Sequence, residues 1–411
     1  MLPSTPIPAP VAGIPSATGN PPAGSIPSLQ QPAAPPRRLL SLDALRGFDM
    51  FWIMSGEGVV HALAKATQWP LLLWMSGQLH HTEWNGITFY DMIFPLFLFI
   101  AGVAMPYSLS GRIAREKVET ADALPRAAKR HIIGSMVRRT LVLILLGMVV
   151  NGLFKWNGYE NTRFASVLGR IALAWFFAGL IYLNCSVRAQ IGWLAGLLLG
   201  YWAAMEWIPV PGYGAGVLTM PGSLESYVDR LFLPGRLHDK VHDPEGILST
   251  VPAIGTALLG VFTGQFLKWD SPRWTMLRKG VALALAGLVL IGLGSLWNVG
   301  FPINKRLWTS SFVCYVGGWS LLFLSLFYLL IDVAGYRKWA LPLVWIGVNS
   351  IVIYLVSEGM IDFAATARYF FGGLIRYAAP AWQAVWLAVA IVAVQLAFLY
   401  FLFRNKIFLK V

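Results

Sequence analysis

Four ionisable residues lie in the first strongly apolar stretch of the chain, where charged side chains are rare in membrane helices. The stretch LDALRGFDMFWIMSGEGVV contains Asp43, Arg46, Asp49 and Glu57. At 100° per residue of an α-helix, the four side chains fall within an arc of about 120°. A single charge at the centre of a bilayer costs at least about 2.5–3.5 kcal/mol. The stripe therefore indicates either a polar cavity or internal ion pairs of Arg46 with Asp43 or Asp49.

Two adjacent histidines, His80 and His81, precede the second apolar stretch in the run HHTEWNG. A histidine at such a boundary acts as a base or nucleophile near neutral pH, binds a metal, or simply contacts water. A metal site is not indicated, because neighbouring histidines rarely turn toward one ion and no further ligand follows at helical spacing. Asp91 lies about one turn into the second stretch, which also contains Pro95 and Pro106. A buried carboxyl near prolines indicates that this helix lines a cavity.

Three further polar clusters lie at the start of an apolar stretch or inside one. They are HDPEG before the sixth stretch, NKRLWTSS before the eighth and GVNS within the ninth. Asp243, Thr309 or Ser310 could simply cap the N-terminus of a helix. Together with His81 and Glu57, the first two clusters predict a polar site that opens to the outside of the membrane.

The elements that position these residues are predicted to be helices of an all-α integral membrane protein. Of 411 residues, 57% are hydrophobic and only 12% are charged, which are too few charges to cover soluble domains of this mass. A helix needs about 20 predominantly apolar residues to cross the hydrocarbon core. About ten transmembrane helices are predicted, at Leu42–Val60, Ile87–Leu109, Thr140–Phe154, Phe164–Leu183, Ile191–Trp207, Leu248–Leu267, Val281–Trp297, Ser311–Ile331, Leu341–Val356 and Ala381–Phe403.

The positive charges predict how these helices are oriented. Lys and Arg outnumber Asp and Glu by 32 to 19, and in a membrane protein this excess marks cytoplasmic loops rather than a nucleic-acid surface. With the N-terminus inside, cytoplasmic segments carry 20 of the basic residues and external segments carry 10. Both termini are therefore predicted to lie in the cytoplasm, and a bacterial host would place the protein in the inner membrane. Residues 1–36, rich in Pro, Ala, Gly and Ser, are predicted to be a disordered cytoplasmic tail.

Several motifs in a fixed order resemble the heparan-α-glucosaminide N-acetyltransferase family and its bacterial relatives. They are RLLSLDALRGFDMF, HTEWNGITFYDMIFPLFLFIAGVAM, DPEGILST, NKRLWTSSF and GVNSIVIY. The resemblance implies that residues 37–411 form one transmembrane acyltransferase domain, which moves an acetyl group from cytoplasmic acetyl-CoA to an amino sugar or glycan across the membrane. By spacing, the family's essential histidine matches His81, and an asparagine of its eukaryotic members matches Glu57, where this chain departs from the family.

The residue types agree with acyl transfer, which needs a base for the acceptor or a nucleophile that holds the acyl group. His81 is predicted to have one of these roles, and Glu57 or Glu83 to hold its tautomer. Glu57 could instead orient or deprotonate the acceptor. Predicted donors to the tetrahedral oxyanion are Asn85, Asn304 and Lys305. The predicted acceptor site comprises Trp84, Asn85, Asp243, Glu245, Asn304, Lys305, Trp308 and Asn349.

The donor site is predicted from arginines, because the phosphates of CoA favour guanidinium groups. Arg46, Arg138 and Arg139 lie at the predicted inner ends of the first and third helices. The same three residues could equally be positive-inside anchors of the helices. Acetyl-CoA is the cosubstrate that the resemblance implies, with no metal, and relatives suggest a homodimer.

Two other functions compete with the enzyme. A secondary transporter would use the intramembrane carboxylates Asp49, Glu57 and Asp91 as proton or cation sites, without covalent chemistry. A purely structural membrane protein would leave the polar clusters without a role. The residue pattern does not distinguish N-acetylation from O-acetylation, or an acetyl-histidine intermediate from direct transfer.

Overall fold

The computed structural model describes residues 39–117, 126–155 and 158–409, and over these ranges it contains helices and no strands. The predicted tail 1–36 lies outside the described residues. The helices are α1 (Leu40–Phe51), α2 (Glu57–Thr67), α3 (Pro70–Gln78), α4 (Ile93–Lys117), α5 (Arg126–Val150), α6 (Val167–Asn184), α7 (Val187–Trp207), α8 (Leu224–Phe232), α9 (Thr250–Lys268), α10 (Met276–Trp297), α11 (Ser310–Phe327), α12 (Leu341–Val348), α13 (Ser350–Leu355), α14 (Phe363–Arg376) and α15 (Pro380–Arg404).

Seven helices of the described ranges are long and apolar enough to cross a membrane. The segments Lys338–Val348 and Ser350–Glu358, bent by 62° at their junction, supply an eighth crossing if they count as one span. The prediction of an all-α, multi-pass membrane protein is confirmed. The count of ten helices and the cytoplasmic location of both termini stay predictions.

The third predicted span is wrong at its start, because α5 begins at Arg126 rather than at Thr140. The run RAAKRHIIGSMVRR contains many good helix formers, so the helix continues well beyond the apolar residues. Arg138 and Arg139 therefore lie within the helix and not at its end. The ninth span, predicted as one helix, is broken at Asn349 between α12 and α13.

The charged first stretch forms a long helix with a defect. A π-helical turn, Trp52–Gly56, joins α1 to α2, and Glu57 is the first residue after it. Such turns are rare and frequently occur at functional sites. Gln68 ends α2 in the left-handed conformation, with φ of 54°. Helix α3 then packs against α2, where His61 Nδ1 lies 2.7 Å from Ser76 Oγ.

Glycines set the close packing that holds α4 in place. A Cβ atom on Gly102 of α4 would lie 2.2 Å from the carbonyl oxygen of Ala257 in α9. A Cβ atom on Gly260 of α9 would lie 2.1 Å from the carbonyl oxygen of Phe99 in α4. Small residues of this kind allow the backbones of membrane helices to approach closely. The crossing fixes α4, and with it the polar residues at the start of that helix.

A second glycine crossing holds α1 against α12. A Cβ atom on Gly47 would lie 1.7 Å from the carbonyl oxygen of Leu343, and one on Gly347 would lie 1.8 Å from that of Asp43. The contact lies directly before the break at Asn349. It therefore anchors the bent segment, whose far end reaches the polar site described below.

Candidate active site

A histidine and a buried carboxylate form the centre of the site. His81 Nδ1 lies 2.8 Å from Asp91 Oδ1. His81 lies in the loop after α3, and Asp91 lies in the 3-10 turn Tyr90–Met92 that leads into α4. The Asp91 side chain is 1% exposed, whereas that of His81 is 53% exposed. The carboxylate is thus fixed in the protein while the imidazole faces open space.

Two threonines hold the Asp91 carboxylate in one orientation. Its Oδ2 atom accepts the backbone N–H and the hydroxyl of Thr82, at 3.1 and 2.7 Å. The same oxygen accepts the backbone N–H and the hydroxyl of Thr88, at 3.2 and 3.1 Å. With Oδ2 occupied in this way, Oδ1 is the atom directed toward His81. A carboxylate held by several donors is suited to orient an imidazole.

Lys305 completes a triangle with these two residues. Its Nζ atom lies 3.2 Å from Asp91 Oδ1 and 3.0 Å from His81 Nδ1. Burial lowers the pKa of the Lys305 ammonium, and the Asp91 carboxylate opposes that shift. An ammonium carries donors only, so Nδ1 either donates to Asp91 or accepts from Lys305. When Nδ1 donates to Asp91, the free lone pair lies on Nε2, where it can act as a base.

The triangle lines a cavity of about 370 Å³ between the helical bundle and the loops above it. Aromatic and aliphatic side chains cover part of its wall, and charged side chains cover most of the remainder. The lining residues are Ile53, His81, Thr82, Trp84, Tyr90, Asp91, Ile93, Phe94, Arg163, Val167, His238, Pro244, Glu245, Lys305, Arg306, Tyr354 and Glu358.

Two arginines of this cavity are paired with carboxylates. Arg163 donates to Asp243 through Nε and Nη2, at 2.9 and 2.6 Å, and also contacts Glu245. Burial acts to lower the pKa of Arg163, but the two carboxylates outweigh it and raise that pKa. Arg306 Nη1 donates to Asp239 Oδ2 at 2.5 Å. These pairs connect the segment before α9 to the loops before α6 and α11.

Some of the predicted acceptor residues reach the cavity and others do not. Trp84, Glu245 and Lys305 line it, and Asp243 lies behind it through its bonds to Arg163. Trp84 is also held in place, since its Nε1 donates to the Leu218 carbonyl oxygen at 2.8 Å. The structure thus brings together four predicted residues from three separate polar clusters.

The remaining predicted acceptor residues do not line this cavity. Asn304 is 1% exposed and donates through Nδ2 to Asn85 Oδ1 at 3.1 Å. Trp308 is also 1% exposed, and its Nε1 donates to Thr256 Oγ1 at 3.1 Å. Asn349 is buried at the break between α12 and α13. The contacts of Asn85, Asn304 and Trp308 are those of residues that shape the loops around the site.

Glu57 lies beside the site and not at the imidazole. Its carboxyl interacts with the hydroxyl of Tyr90, whose ring centroid lies 4.8 Å from that of His81. The carboxylate at His81 Nδ1 is Asp91, and not Glu57 or Glu83 as predicted. The reason is geometric, because the turn after the histidine loop folds Asp91 back against it.

Three cavity residues are not apparent from the sequence. Arg163 precedes α6 by a few residues and resembles an ordinary loop charge. Tyr354 and Glu358 lie at the end of the bent segment, and their placement depends on the break at Asn349. A carboxylate at the end of an apolar stretch is the one available sequence signal for Glu358.

A second cavity, of about 470 Å³, lies at the other end of α4. Arg138 and Arg139 line it with Leu109 and Trp175, and Arg139 Cζ lies 4.5 Å from the centroid of the Trp175 ring. From Asp91 to Leu109 an α-helix rises about 27 Å. This is close to the thickness of a hydrocarbon core. The two cavities therefore lie at opposite ends of one membrane helix.

Two polar residues of α1 line neither cavity. Arg46 Nη1 lies 3.4 Å from Asp43 Oδ1, so the predicted donor-site arginine is within reach of a carboxylate one turn earlier in its helix. Asp49 is fully buried, and neither of its carboxyl oxygens has a hydrogen-bond partner in the part of the chain that the structure describes. The structure thus brings Arg138 and Arg139 together but does not add Arg46 to them.

A second histidine–carboxylate pair lies beneath Trp84. His242 Nδ1 is 2.9 Å from Glu225 Oε2 and 3.0 Å from Ser226 Oγ, and all three residues are fully buried. Burial lowers the pKa of His242 to about 4. Burial and the neighbouring Glu225 carboxylate raise the pKa of Asp229 to about 9. The Trp84 and His242 rings pack edge to face, with centroids 5.4 Å apart, so this cluster supports one wall of the cavity.

Comparison with known proteins adds two relatives, although no family model matches the chain. The heparan-alpha-glucosaminide N-acetyltransferase of Mus musculus is 28% identical over 331 residues, which are 68% of this chain and 49% of the mouse protein. The protein of the same name from Homo sapiens is 28% identical over 403 residues, which are 84% of this chain and 56% of the human protein. The chain spans about half the length of these relatives. At the family level, the chain is related to the heparan-alpha-glucosaminide N-acetyltransferases.

Proposed function

We propose that the protein is a membrane acetyltransferase that moves an acetyl group from cytoplasmic acetyl-CoA to an amino sugar or glycan on the opposite face. The observation that carries this proposal is the pair of cavities at the two ends of α4. One contains His81 and Asp91, and the other contains Arg138 and Arg139. The relationship to proteins named N-acetyltransferases supports the reaction type. In a bacterial cell the membrane would be the inner membrane, and a homodimer remains a prediction.

His81 is the base in this proposal. Its Nε2 takes the proton of the acceptor as the acceptor attacks the thioester carbonyl, and Asp91 stabilises the imidazolium that forms. The C–S bond then breaks, and the CoA thiolate takes that proton from Nε2. Lys305, whose Nζ lies 3.0 Å from His81 Nδ1, supplies the positive charge that stabilises the developing oxyanion. An acetyl-imidazole intermediate, with Nε2 as the nucleophile, would use the same residues.

Arg138 and Arg139 bind the phosphates of CoA in this proposal. Guanidinium groups match phosphate oxygens in geometry and charge, and the stacking of Arg139 on Trp175 holds one of them in place. The thioester must then reach His81, about 27 Å away along α4. The pantetheine arm would therefore enter the helical bundle beside α4.

One observation favours the alternative of a secondary transporter, namely the buried Asp49 carboxyl. Neither of its oxygens has a partner among the described residues. A proton or cation bound during transport would supply one. Asp91, by contrast, is already held by His81, Thr82, Thr88 and Lys305, which leaves little capacity for a transported ion. The transporter function thus rests on Asp49 rather than on the cavity.

Reconstituted vesicles distinguish the two functions. Purified protein would be inserted in liposomes that contain D-glucosamine, with radiolabelled acetyl-CoA added outside. We expect labelled N-acetylglucosamine inside the vesicles and one CoA released for each product formed. Uptake of glucosamine driven by a pH gradient, without any release of CoA, would reject the enzyme in favour of a transporter.

A further inference from the structure

An apolar groove of about 800 Å³ lies among α4, α6, α7 and α9, and the mechanism above does not use it. Most of its lining residues are apolar or aromatic, and the full set is Pro106, Tyr182, Val187, Ile191, Leu194, Phe262, Gln265, Phe266, Lys268 and Trp269. The lining runs from Val187 to Leu194 on α7 and from Phe262 to Lys268 on α9. On each helix this is a rise of about 9–10 Å. The groove thus has the shape and the lining of a site for a hydrocarbon chain.

The groove lies at one boundary of the membrane-spanning region. Pro106 is close to the end of the apolar span Tyr90–Leu109, and Lys268 is the last residue of the apolar span Thr250–Lys268. Lys268 Nζ donates to the Pro106 carbonyl oxygen at 3.4 Å, so the ends of the two spans lie at the same level. This end of α4 also borders the arginine cavity, whereas the histidine cavity lies at the opposite end.

One side of the groove is open. Val187 and Ile191 are 51% and 54% exposed, and Trp269, directly after α9, is 55% exposed. Apolar side chains that a membrane protein leaves uncovered along its helices meet lipid, because contact with water would be unfavourable. The acyl chain of a neighbouring lipid is therefore the molecule that reaches this groove from the open side.

The two polar residues of the lining have different roles. Gln265 Nε2 donates to Gln190 Oε1 at 2.9 Å, and Gln190 is buried, so this contact joins α9 to α7. Lys268 instead lies beside Trp269 at the end of the groove. Lysine and tryptophan are the side chains that membrane proteins place at the level of the lipid headgroups. The groove therefore combines an apolar space with a cation at headgroup level.

The charge around Lys268 distinguishes between classes of lipid. The segment from Lys268 to Lys279 contains four basic residues and one acid, Asp270. Lys279 Nζ donates to the carbonyl oxygens of Leu267 and Trp269, at 2.9 and 2.5 Å, and so caps the end of α9. A zwitterionic headgroup would bring a second cation into this basic region, whereas an anionic headgroup brings only negative charge. The charge of the segment therefore favours an anionic lipid.

We propose that this groove binds an anionic phospholipid, with one acyl chain along α7 and α9 and the phosphate at Lys268. The ammonium of Lys268 has three N–H donors, so it can contact a phosphate oxygen while it donates to Pro106. A bound lipid would thus stabilise the end of α4 that borders the arginine cavity. The binding of the lipid does not rest on the proposed acetyl transfer.

Native mass spectrometry of the full chain in detergent tests the preference for an anionic lipid. The probes are dioleoyl phosphatidylglycerol and dioleoyl phosphatidylcholine, which have the same acyl chains and differ in headgroup charge. We expect phosphatidylglycerol to bind about fivefold more tightly, and Lys268→Gln to remove most of that difference. The matched control is Arg273→Gln, an exposed cation of the same segment outside the lining, which should keep the difference. Ile191→Trp, which fills the groove, should weaken the binding of both lipids.

The position of the lipid is tested on the unmodified protein, so the result holds even if a variant does not fold. A phosphatidylglycerol with a photoreactive group on one acyl chain should crosslink to α7 and α9. Excess unlabelled phosphatidylglycerol should suppress the crosslinks, and glycerol phosphate, which lacks the chains, should not. The proposal is overturned by equal binding of the two lipids, by crosslinks confined to other helices, or by competition from glycerol phosphate. An equal loss of the preference in Lys268→Gln and Arg273→Gln would also reject it in favour of a general basic surface.

Discussion

Two histidine–carboxylate pairs of nearly equal length occur in this protein, and their surroundings separate their roles. His81 lies 2.8 Å from Asp91, and His242 lies 2.9 Å from Glu225. The His81 side chain is 53% exposed and lines a cavity, whereas His242 is fully buried. Burial also lowers the pKa of His242 to about 4, so this imidazole is neutral near pH 7. A histidine–carboxylate pair is therefore a candidate for catalysis only where the imidazole can reach a substrate.

The largest effect should come from removing the exposed imidazole. We expect His81→Ala to lower acceptor-dependent CoA release by about 10²–10⁴-fold, the usual contribution of a positioned base. His80→Ala is the matched control, because His80 stacks on His61, with centroids 4.5 Å apart, and does not line the cavity. It should keep most of the activity. Equal losses in the two variants would contradict the assignment of His81.

The second-largest effect should come from replacing Asp91, the carboxylate that contacts His81. Asp91→Asn keeps the shape of the side chain but removes the charge that stabilises the imidazolium, so we expect kcat to fall by at least about 10²-fold. The KM for the acceptor should stay nearly unchanged, because the lost interaction acts on the transition state. A raised KM with little loss of kcat would indicate that Asp91 only holds the loop.

Local patterns in the sequence predict the helices and His81, but not the partners that complete the site. Apolar stretches identify membrane helices because a helix that crosses the hydrocarbon core must consist mainly of apolar residues. His81 is recognisable as a polar residue at a helix boundary. The pair of Arg163 with Asp243 joins residues that are 80 positions apart, and it forms only when α6 and α9 pack together. The position of Glu358 depends on a bend and a π-helical turn, and the pattern of apolar residues predicts neither of them. Asp91 is visible as a cavity acid, while its bond to His81 follows from the intervening turn.

A smaller effect should appear in the stability of the protein as the pH changes, because Glu225, Asp229 and His242 are buried together. The pKa of Asp229 is raised from 3.8 to about 9, so the folded state retains a proton that the unfolded state has lost. The free energy of unfolding should therefore fall as the pH rises through this range, by at most about 1.4 kcal/mol per pH unit. The pKa of Glu225 is raised to about 7, which gives the same sign below that pH. The shift of His242 has the opposite sign, but it acts only between about pH 4 and 6.5.

Between pH 7 and 9, the change in stability should come from Asp229 and not from Glu225 or His242. We expect the thermal midpoint of the full protein in detergent to decline across this window, and Asp229→Asn to flatten the decline. Asp270→Asn, which removes an exposed carboxyl between α9 and α10, is the control and should keep the wild-type slope. A flat wild-type profile would mean that Asp229 does not retain its proton in the folded protein.

The smallest effect should occur at the other end of α4, and it bears on whether the two cavities belong to one reaction. Arg138 is exposed beside its cavity, so Arg138→Ala should raise KM for acetyl-CoA about three- to tenfold and leave kcat nearly unchanged, as expected for a contact that binds but does not react. The contribution of this arginine should shrink as salt is added, because exposed charges are screened. Arg130→Ala, on the same helix but outside the cavity lining, should change neither constant. If Arg130→Ala and Arg138→Ala raise KM for acetyl-CoA equally, the arginines of α5 act as a general basic surface, and acetyl-CoA enters elsewhere.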